Sequence, residues 1–448
     1  MKKAKIQNNS ASQNTVVGQS GPTVAHPIRI WIGADWADQK HCLVVQPLEG
    51  PAQTHFLEQK PELLDQFFLR LRQQHPQGLI GICLEQSRGA LLYALMKYDF
   101  LVIYPVNPRS LADFRRAFCV SGAKSDPSDA QLLCEMGLKH QPRLRPLQVE
   151  DPATRKLRLL VEGRRGFVDQ HTAFLNQQRA VLKCYYPLLI ELFEENLESA
   201  MAREFLRRWP NLAALKRAKP AVLRAFFYRH NSRSQEKIRQ RLQAIQRAVP
   251  LTEDEAIIQP LQLQALGLAE QLAGLSTLIK QYDEQIHGVF QNHSEAWLFS
   301  ELPGAGPVLA PRLAALFGTA RENWPSALDL LCRTGVAPVK KQSGKQLIVL
   351  FRWARPKFIH QTLVEFAKCS LKHCAWAKLL FEDQRAKGKS PFGALRIVAF
   401  KWVRILWRCW QDRVAYDELR YLRGLQKRNV KLYASLYQSL TPENVNNP

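Results

Sequence analysis

The sequence lacks the features that would mark a secreted, membrane-spanning or zinc-ribbon protein. Its nine cysteines are odd in number and scattered, which favours ordinary reduced cysteines over a disulfide framework. They contain no CxxC pair, so a zinc ribbon would lack its usual ligand pairs. It has no run of about 18 uncharged apolar residues, so no transmembrane helix is expected. The basic start is followed by polar residues and not by an apolar segment, unlike a signal peptide. These absences predict a cytoplasmic protein with reduced cysteines and no membrane partner; a zinc site around Cys369, Cys374, His360 and His373 is the weaker alternative.

Acidic residues are also scarce relative to basic ones. Lys and Arg number 63 against 39 Asp and Glu, which gives a formal net charge of +24 at pH 7. A protein this basic usually binds a polyanion, and nucleic acid is the common one, although an anionic membrane surface or a solvated face kept charged for solubility are alternatives. The basic residues recur through the helical stretches, as in Arg155, Lys156, Arg158, Arg164, Arg165, Lys401, Arg404 and Arg408. That spread favours a long nucleic-acid groove over a single basic arm.

The length and the local composition divide the chain into several parts. At 448 residues it is too long for one ordinary domain. We predict a disordered tail at 1–27, an α/β domain at 28–150, a helical and coiled-coil region at 151–298, a helical C-terminal domain at 299–438, and a loose tail at 439–448. The predicted fold class is therefore α/β plus all-α.

The α/β domain begins with three strand patterns and continues with alternating helix and strand. Strands are predicted at 28–35, 41–46, 54–57, 79–84 and 100–105, and helices at 61–74, at 89–98 and from Pro108 onward. Three hairpin-like strands followed by helix–strand units predict a mixed sheet whose first three strands are antiparallel and whose later strands are parallel. This is the pattern of an RNase H-like (RuvC-like) domain.

The middle region shows a sustained heptad. Apolar residues alternate in steps of four and three: Leu261, Ala265, Leu268, Leu272, Leu275, Ile279, Tyr282, Ile286 and Val289. The pattern favours a coiled coil that joins two chains; the alternative is a core-facing helix in a bundle. An insertion at about 190–252, broken by Pro210 and Pro220, separates this segment from the preceding helical stretch.

Four carboxylates occupy positions where α/β domains commonly form ligand-binding or catalytic sites. Asp35 ends the first strand, Glu85 follows a buried strand, and Asp126 and Asp129 share one face at a helix start. Each has an ordinary explanation: a turn residue, a surface carboxylate or a helix cap. Together, their order and spacing favour a Mg²⁺ site, because clustered carboxylates repel one another without a cation and Mg²⁺ prefers oxygen ligands. Such a site suits phosphoryl transfer.

Two motifs stand out in the C-terminal domain. Gly304 and Gly306 precede an apolar helix, as in a helix-hairpin-helix turn whose backbone N–H groups approach a phosphate; a tight turn between helices would need the same glycines. Further on, Ser343 and Lys345 flank Gly344 in what we interpret as a basic, flexible loop. Lys345 is a tentative phosphate ligand, but no neighbouring histidine marks Ser343 as a nucleophile.

With these residues in view, the chain resembles the DEDD transposases of insertion sequences, the group described as bridge-RNA-guided recombinases. The resemblance is carried by short motifs: Ile32-Gly33-Ala34-Asp35, Cys83-Leu84-Glu85-Gln86-Ser87, Val106-Asn107-Pro108, Lys124-Ser125-Asp126-Pro127-Ser128-Asp129-Ala130, Leu302-Pro303-Gly304-Ala305-Gly306-Pro307, and Gly335-Val336-Ala337-Pro338 through Ser343-Gly344-Lys345. Two positions depart from the family pattern: Gln86-Ser87 follows the glutamate, and Trp36 follows the first aspartate.

The resemblance implies a function and a set of partners. Asp35, Glu85, Asp126 and Asp129 would form the Mg²⁺-binding tetrad, and Ser343 would be the nucleophile that joins transiently to DNA, in a composite site shared between subunits. The enzyme would act on donor and target DNA with a structured guide RNA, as a homodimer that becomes a tetramer in the synaptic complex, in the prokaryotic cytoplasm and on the nucleoid. The alternatives are a Mg²⁺-dependent junction-resolving nuclease without covalent serine chemistry, and a non-catalytic nucleic-acid scaffold.

Overall fold

The computed structural model describes residues 27–85, 88–118, 124–344 and 346–437, apart from the side chain of Glu195. The tails expected at 1–27 and 439–448 lie outside these residues except for Pro27, and so does Lys345. The chain divides into two compact units, Met1–Val149 and Glu150–Pro448. In the described part, no helix is both long enough and apolar enough to cross a membrane.

The first unit is a mixed sheet with helices on both faces. Its elements are β1 (Ile28–Asp35), β2 (Lys40–Pro47), β3 (Gln53–Glu58), α1 (Pro61–Gln74), β4 (Leu79–Leu84), α2 (Ala90–Leu95), β5 (Leu101–Pro105), α3 (Pro108–Phe118) and α4 (Asp126–His140). The sheet order is β3-β2-β1-β4-β5. The first three strands are antiparallel, and β4 and β5 run parallel to β1 and to each other. The predicted five-stranded mixed sheet is confirmed, and its order is consistent with an RNase H-like fold.

The central strand β1 is buried on both faces because its side chains alternate between two cores. Ile30 and Ile32 pack into one apolar cluster, and Trp31 packs into the other with residues of α4. Gly33 is where α4 crosses the strand: a Cβ atom there would lie 1.9 Å from the carbonyl oxygen of Ala130. The helix therefore rests directly on the strand backbone, which places its first turn beside the end of β1.

The second unit is mostly helical, as predicted. Its elements are α5 (Pro152–Tyr185), α6 (Pro187–Phe193), α7 (Ala200–Arg208), α8 (Leu212–Lys216), α9 (Pro220–Arg229), α10 (Gln235–Arg247), α11 (Glu255–Gln291), α12 (Ala296–Ser300), α13 (Gly306–Phe317), α14 (Ala327–Thr334), β6 (Val339–Ser343), β7 (Gln346–Leu350), α15 (Lys357–Ser370), α16 (Ala375–Ala386), α17 (Pro391–Asp412), α18 (Glu418–Lys427) and α19 (Ala434–Tyr437). Helices α6 to α10 form the insertion expected between the two long helices α5 and α11.

The heptad face of α11 packs within the chain. Helices α5 and α11 lie along each other, in the largest helix–helix contact of the unit. Ala265 and Leu268 pack into a core with the insertion helices, and Ile286 packs into a second core with α13. At these positions the structure shows the core-facing alternative, because this face of α11 already packs against other helices of the same chain. Joining of two chains through these helices stays a prediction.

One local expectation about the C-terminal domain is wrong. Ser343 does not lie in a flexible loop: it ends β6, which pairs with β7 in an antiparallel hairpin, with Ser343 opposite Gln346. The apolar run at 347–350 and the φ angle of +55° at Gly344 both suit a hairpin. All five residues of β7 are exposed. The hairpin is therefore held by its turn and by backbone pairing, and not by burial of its side chains in a core.

Candidate active site

The first two carboxylates lie at one edge of the sheet. Asp35 is the last residue of β1, and Glu85 directly follows β4. The two strands are parallel neighbours in which Ala34 pairs with Leu84, so they end level with each other. Both residues are partly exposed. The carboxyl ends of parallel strands are where open sheets bind ligands, and these two side chains meet that condition.

The other two carboxylates lie in the first turn of α4. Ser125 caps this helix by accepting a hydrogen bond from the backbone N–H of Ser128 at 3.4 Å, in a reciprocal capping box. The alternative in which Asp126 is merely the helix cap is therefore wrong, and its exposed carboxylate remains free for another role. Asp129 is buried, with 2% of its surface exposed.

Electrostatics link all four carboxylates. Burial, followed by the charges of Asp126, Asp129 and Glu85, raises the pKa of Asp35 from 3.8 to about 6, and Lys124 opposes the shift. Three negative neighbours therefore add to the effect of burial in opposing the ionisation of Asp35. An all-oxygen donor set that repels itself fits a divalent cation such as Mg²⁺.

A residue that the sequence analysis missed pairs with Asp129. Arg115, on α3, donates from Nε to Oδ1 of Asp129 at 2.8 Å, and a second guanidinium nitrogen lies 2.5 Å from the same oxygen. Within the described ranges, no three His, Cys, Asp or Glu side chains converge closely enough to share one ion. Arg115 thus supplies the positive charge next to Asp129. No feature of the sequence distinguishes Arg115 from the neighbouring Arg116.

Removing Arg115 is expected to destabilise the protein, and Mg²⁺ should offset part of the loss. Arg115→Ala leaves Asp129 buried without a partner, which costs about 3–5 kcal/mol of unfolding free energy. Urea unfolding in chelator measures this loss, and saturating Mg²⁺ should recover part of it. The control is Arg116→Ala, whose partner Asp113 is exposed and whose loss should stay within about 1 kcal/mol. Equal losses in the two variants would contradict the assigned role.

A second overlooked residue braces the turn that follows Asp35. His41 is fully buried, and its Nδ1 accepts from the backbone N–H of Ala37 at 3.4 Å. Its Nε2 bonds to the side-chain oxygen of Gln59. Burial lowers the pKa of His41, which favours a neutral ring that donates from Nε2. The ring therefore ties the chain just after Asp35 to the loop that follows β3.

The hairpin of the second unit presents Ser343 to solvent. Ser343 and Lys341 are both exposed and stand two residues apart on β6, so their side chains share one face. The cross-strand partners on that face are Gln346 and Ile348. The arrangement places a hydroxyl at the tip of an arm with one cation beside it. Lys345, the tentative phosphate ligand, lies outside the described residues.

The two glycines before α13 have different environments. Gly304 has a φ angle of +81°, and a Cβ atom there would come within 2.8 Å of the carbonyl carbon of Cys369, so packing against α15 explains it. Gly306, the first residue of α13, has a φ angle of +55° and open space around it. Helices α12 and α13 flank the turn, as a helix-hairpin-helix turn requires. Gly306 is the one of the pair whose backbone a phosphate can approach.

Comparison with known proteins agrees with these features. A family model described as a transposase, of the DEDD type of IS110, matches residues 32–187, a segment that contains all four carboxylates. A second model, for transposases of the IS116/IS110/IS902 family, matches residues 296–382, which contain the glycine turn and the Ser343 hairpin.

Curated relatives extend the match along most of the chain. The putative transposase of the IS117 mini-circle from Streptomyces coelicolor is 25% identical over 405 residues, covering 88% of this chain and 96% of the relative. An uncharacterised 44.8 kDa protein of insertion element IS116 from Streptomyces clavuligerus is 23% identical, with 86% and 95% covered. A 42 kDa protein of IS900 from Mycobacterium paratuberculosis is 25% identical, with 65% and 73% covered.

The mixed-sheet unit, the carboxylates at its edge and the two matched models define a transposase, an enzyme that cuts and rejoins DNA. The chain belongs to the IS110/IS116 family of insertion-sequence transposases.

Proposed function

We propose that this transposase cuts and rejoins DNA by combining a Mg²⁺-binding carboxylate tetrad with a serine nucleophile. The tetrad consists of Asp35, Glu85, Asp126 and Asp129, and the nucleophile is Ser343. The observation that carries the proposal is that β1 and β4 end level with each other, which places Asp35 beside Glu85. Burial, and then the charges of Asp126, Asp129 and Glu85, raise the pKa of Asp35 to about 6. Such mutual repulsion is unfavourable unless a cation relieves it, and functional sites are where it persists.

The oxygen donors of the four carboxylates suit Mg²⁺. The ion pair between Arg115 and Asp129 would have to open before Asp129 could bind the metal. Bound Mg²⁺ would supply positive charge to the phosphate oxygens during transfer. Asp35 and Glu85 would provide oxygens from the strand ends, and Asp126 would provide an exposed one from the helix. Asp129 would add a fourth ligand if Arg115 released its Oδ1 atom. In the absence of the metal, Arg115 keeps the buried Asp129 charge-compensated.

Ser343 would perform the covalent step. Its Oγ forms a bond to the DNA phosphorus, the bond from phosphorus to one sugar oxygen breaks, and the proton lost by the serine ends on that leaving oxygen. A hydroxyl of another strand then attacks the same phosphorus and releases Ser343 with its proton restored. The phosphodiester is conserved, so rejoining needs no external energy source. Lys341, on the same face, supports this role by offering positive charge to the phosphate.

Guidance by a structured RNA is part of the proposal. It rests on the resemblance to the family and on the net charge of +24, which suits the binding of several polyanionic strands. RNA, donor DNA and target DNA would each be held mainly through their backbones. A cutting reaction that proceeds equally well without RNA would remove this part and leave the carboxylate and serine parts standing.

The test is a trapping assay. Purified protein, Mg²⁺, RNA transcribed from the flanking element and end-labelled donor DNA are combined and run on a denaturing gel. Wild-type protein should retain label, and Ser343→Ala should retain none. Gln346→Ala, which alters the residue opposite Ser343 but keeps the hydroxyl, is the matched control and should still trap DNA.

Two outcomes decide between the serine transposase and its rival. Cut DNA without any protein adduct would favour the Mg²⁺-dependent junction-resolving nuclease, in which Ser343 has no chemical role. An adduct that persists in Ser343→Ala would assign the nucleophile to another residue. Loss of all cutting in Glu85→Gln, with RNA binding unchanged, would support the carboxylates in either case.

A further inference from the structure

A cavity of about 600 Å³ opens in the second unit, close in sequence to the Ser343 hairpin. Two of the side chains that line it are aromatic and exposed: Trp353 at 82% and Phe392 at 48%. A tryptophan this exposed is unusual, because its large apolar ring normally lies in a core or an interface. The cavity therefore exposes aromatic surface that is available to a ligand.

The acidic groups of this cavity already have partners. Arg165 lies 2.6 Å from Asp169 and 3.2 Å from Glu365. Arg312, almost fully buried, lies 2.6 Å from a carboxylate oxygen of Glu365. These ion pairs neutralise the carboxylates, so they neither attract a cation nor strongly repel an anion.

The basic groups lack such partners. Arg355 and Lys357 belong to the cavity lining. Arg355 lies 4.1 Å from the ring centroid of Phe351, and Arg396, which is not part of the lining, lies 4.5 Å from the same centroid. Across the described part of the chain, no carboxylate lies within ion-pair distance of Arg355, Arg396 or Lys357. Gly335 leaves room for the side chain of Arg355, since a Cβ atom at this position would lie 2.3 Å from Cδ of Arg355. The uncompensated positive charge at the cavity calls for an anionic ligand.

A buried histidine completes the lining. His360 is 4% exposed, and its Nδ1 lies 3.3 Å from the carbonyl oxygen of Thr334. Burial, and then the charge of Arg355, lowers the pKa of His360 to about 4, so the ring is neutral at pH 7. A neutral ring that donates from Nδ1 leaves Nε2 as an acceptor, and Nε2 is buried without a hydrogen-bond partner. The neutral ring adds no charge to the lining, whose positive charge comes from Arg355 and Lys357.

We propose that this aromatic–cationic pocket binds one unpaired nucleotide of the DNA substrate. The base stacks on Trp353, and the phosphate lies against Arg355 and Lys357. The volume suits a single nucleotide. The inference goes beyond the proposed function and needs neither the metal site nor Ser343.

Other ligands fit these features less well. A duplex backbone is recognised mainly by charge, which leaves the exposed aromatic rings of this cavity without a role. Stacking on an aromatic ring beside arginines is how proteins hold unpaired bases of either nucleic acid. Unpaired RNA shares this chemistry and is distinguished by experiment. DNA is favoured because this enzyme cuts and rejoins DNA strands, and unpaired nucleotides arise where strands are exchanged.

The experiment compares affinities by fluorescence anisotropy for labelled single-stranded DNA, RNA of the same sequence, and blunt duplex DNA. Binding is measured in chelator, so failure of the metal or serine proposal does not affect the result. Trp353→Ala should weaken binding of single-stranded DNA about ten-fold, the size of one lost stacking contact, and leave duplex binding within about two-fold. Trp353→Phe should restore most of the affinity.

Trp297→Ala is the matched control, since Trp297 is 42% exposed on α12 and does not line the cavity. It should bind all three ligands like the wild type. Arg355→Gln should reduce the salt dependence of single-strand binding by about one counterion. DNA carrying 5-iodouracil should photocrosslink to the peptide that contains Trp353.

Three results would overturn the proposal. Equal losses on single-stranded and duplex DNA would make the region a general basic surface. Unchanged affinity together with no crosslink at Trp353 would leave the pocket without a nucleotide. A loss confined to RNA would assign the pocket to RNA and remove the DNA assignment.

Discussion

Asp35→Asn is expected to abolish DNA cutting while stabilising the metal-free protein at pH 8. The substitution keeps the shape of the side chain and removes the charge that three neighbouring carboxylates oppose. Loss of a metal-binding oxygen in phosphoryl transfer should reduce the cutting rate on the order of 1,000-fold or more. The expected opposition between activity and stability is what separates a functional cluster from a structural one.

The sign of the stability effect follows from the pKa. The folded pKa of Asp35, about 6, lies above its ordinary value of 3.8, so the folded state holds its proton more tightly. The wild type should therefore lose stability as pH rises from about 4 to about 6, and the penalty should be complete above that range. Because Asp35 is partly exposed, we expect solvent screening to limit the penalty to about 1–2 kcal/mol.

Urea unfolding at pH 5 and pH 8 in chelator measures this difference. Asp35→Asn should lie above the wild type at pH 8 and converge with it at acidic pH. Mg²⁺ should raise the stability of the wild type and have little effect on the variant. Asp38→Asn, an exposed residue in the turn after β1, is the control and should change neither cutting nor stability. A variant less stable than the wild type at pH 8 would show that Asp35 is held by partners and not repelled by neighbours.

Gly33→Ala is expected to destabilise the protein by about 3 kcal/mol and to abolish cutting without touching any carboxylate. The new Cβ atom would lie 1.9 Å from the carbonyl oxygen of Ala130 and 2.4 Å from the backbone nitrogen of Cys134. Both contacts are to helix backbone, so α4 as a whole must move away from β1. That movement would carry Asp126 and Asp129 away from Asp35.

The measurement combines urea unfolding with the stabilisation conferred by Mg²⁺. We expect the variant to lose both unfolding free energy and its response to the metal. Gly166→Ala, in the exposed part of α5 where a Cβ atom meets nothing within 4 Å, is the control and should be neutral or stabilising by up to about 1 kcal/mol. A Gly33→Ala protein that cuts DNA normally would show that the position of α4 does not set the site.

Local periodicity was enough to predict the first unit. The nearly continuous apolar runs of β1 and β4 and the amphipathic spacing of α1 predict these elements. The ends of β1 and β4 could then be predicted as site positions, because chain direction sets which edge of a sheet a strand-end residue occupies. Local pattern did not predict the Ser343 hairpin. Its exposed strands are defined by backbone pairing, which leaves no regular alternation of buried and exposed side chains in the sequence.

The sequence by itself therefore determined the mixed sheet, the long helices and the strand-end positions of Asp35 and Glu85, since these follow from side-chain period and strand direction. Only the tertiary structure decided that α11 packs along α5, that Arg115 pairs with Asp129, and that Trp353 and His360 line one cavity. These contacts join residues far apart in the chain, and their partners depend on which surfaces folding brings together. Periodicity records the face that a residue is on, but it carries no information about what that face will meet.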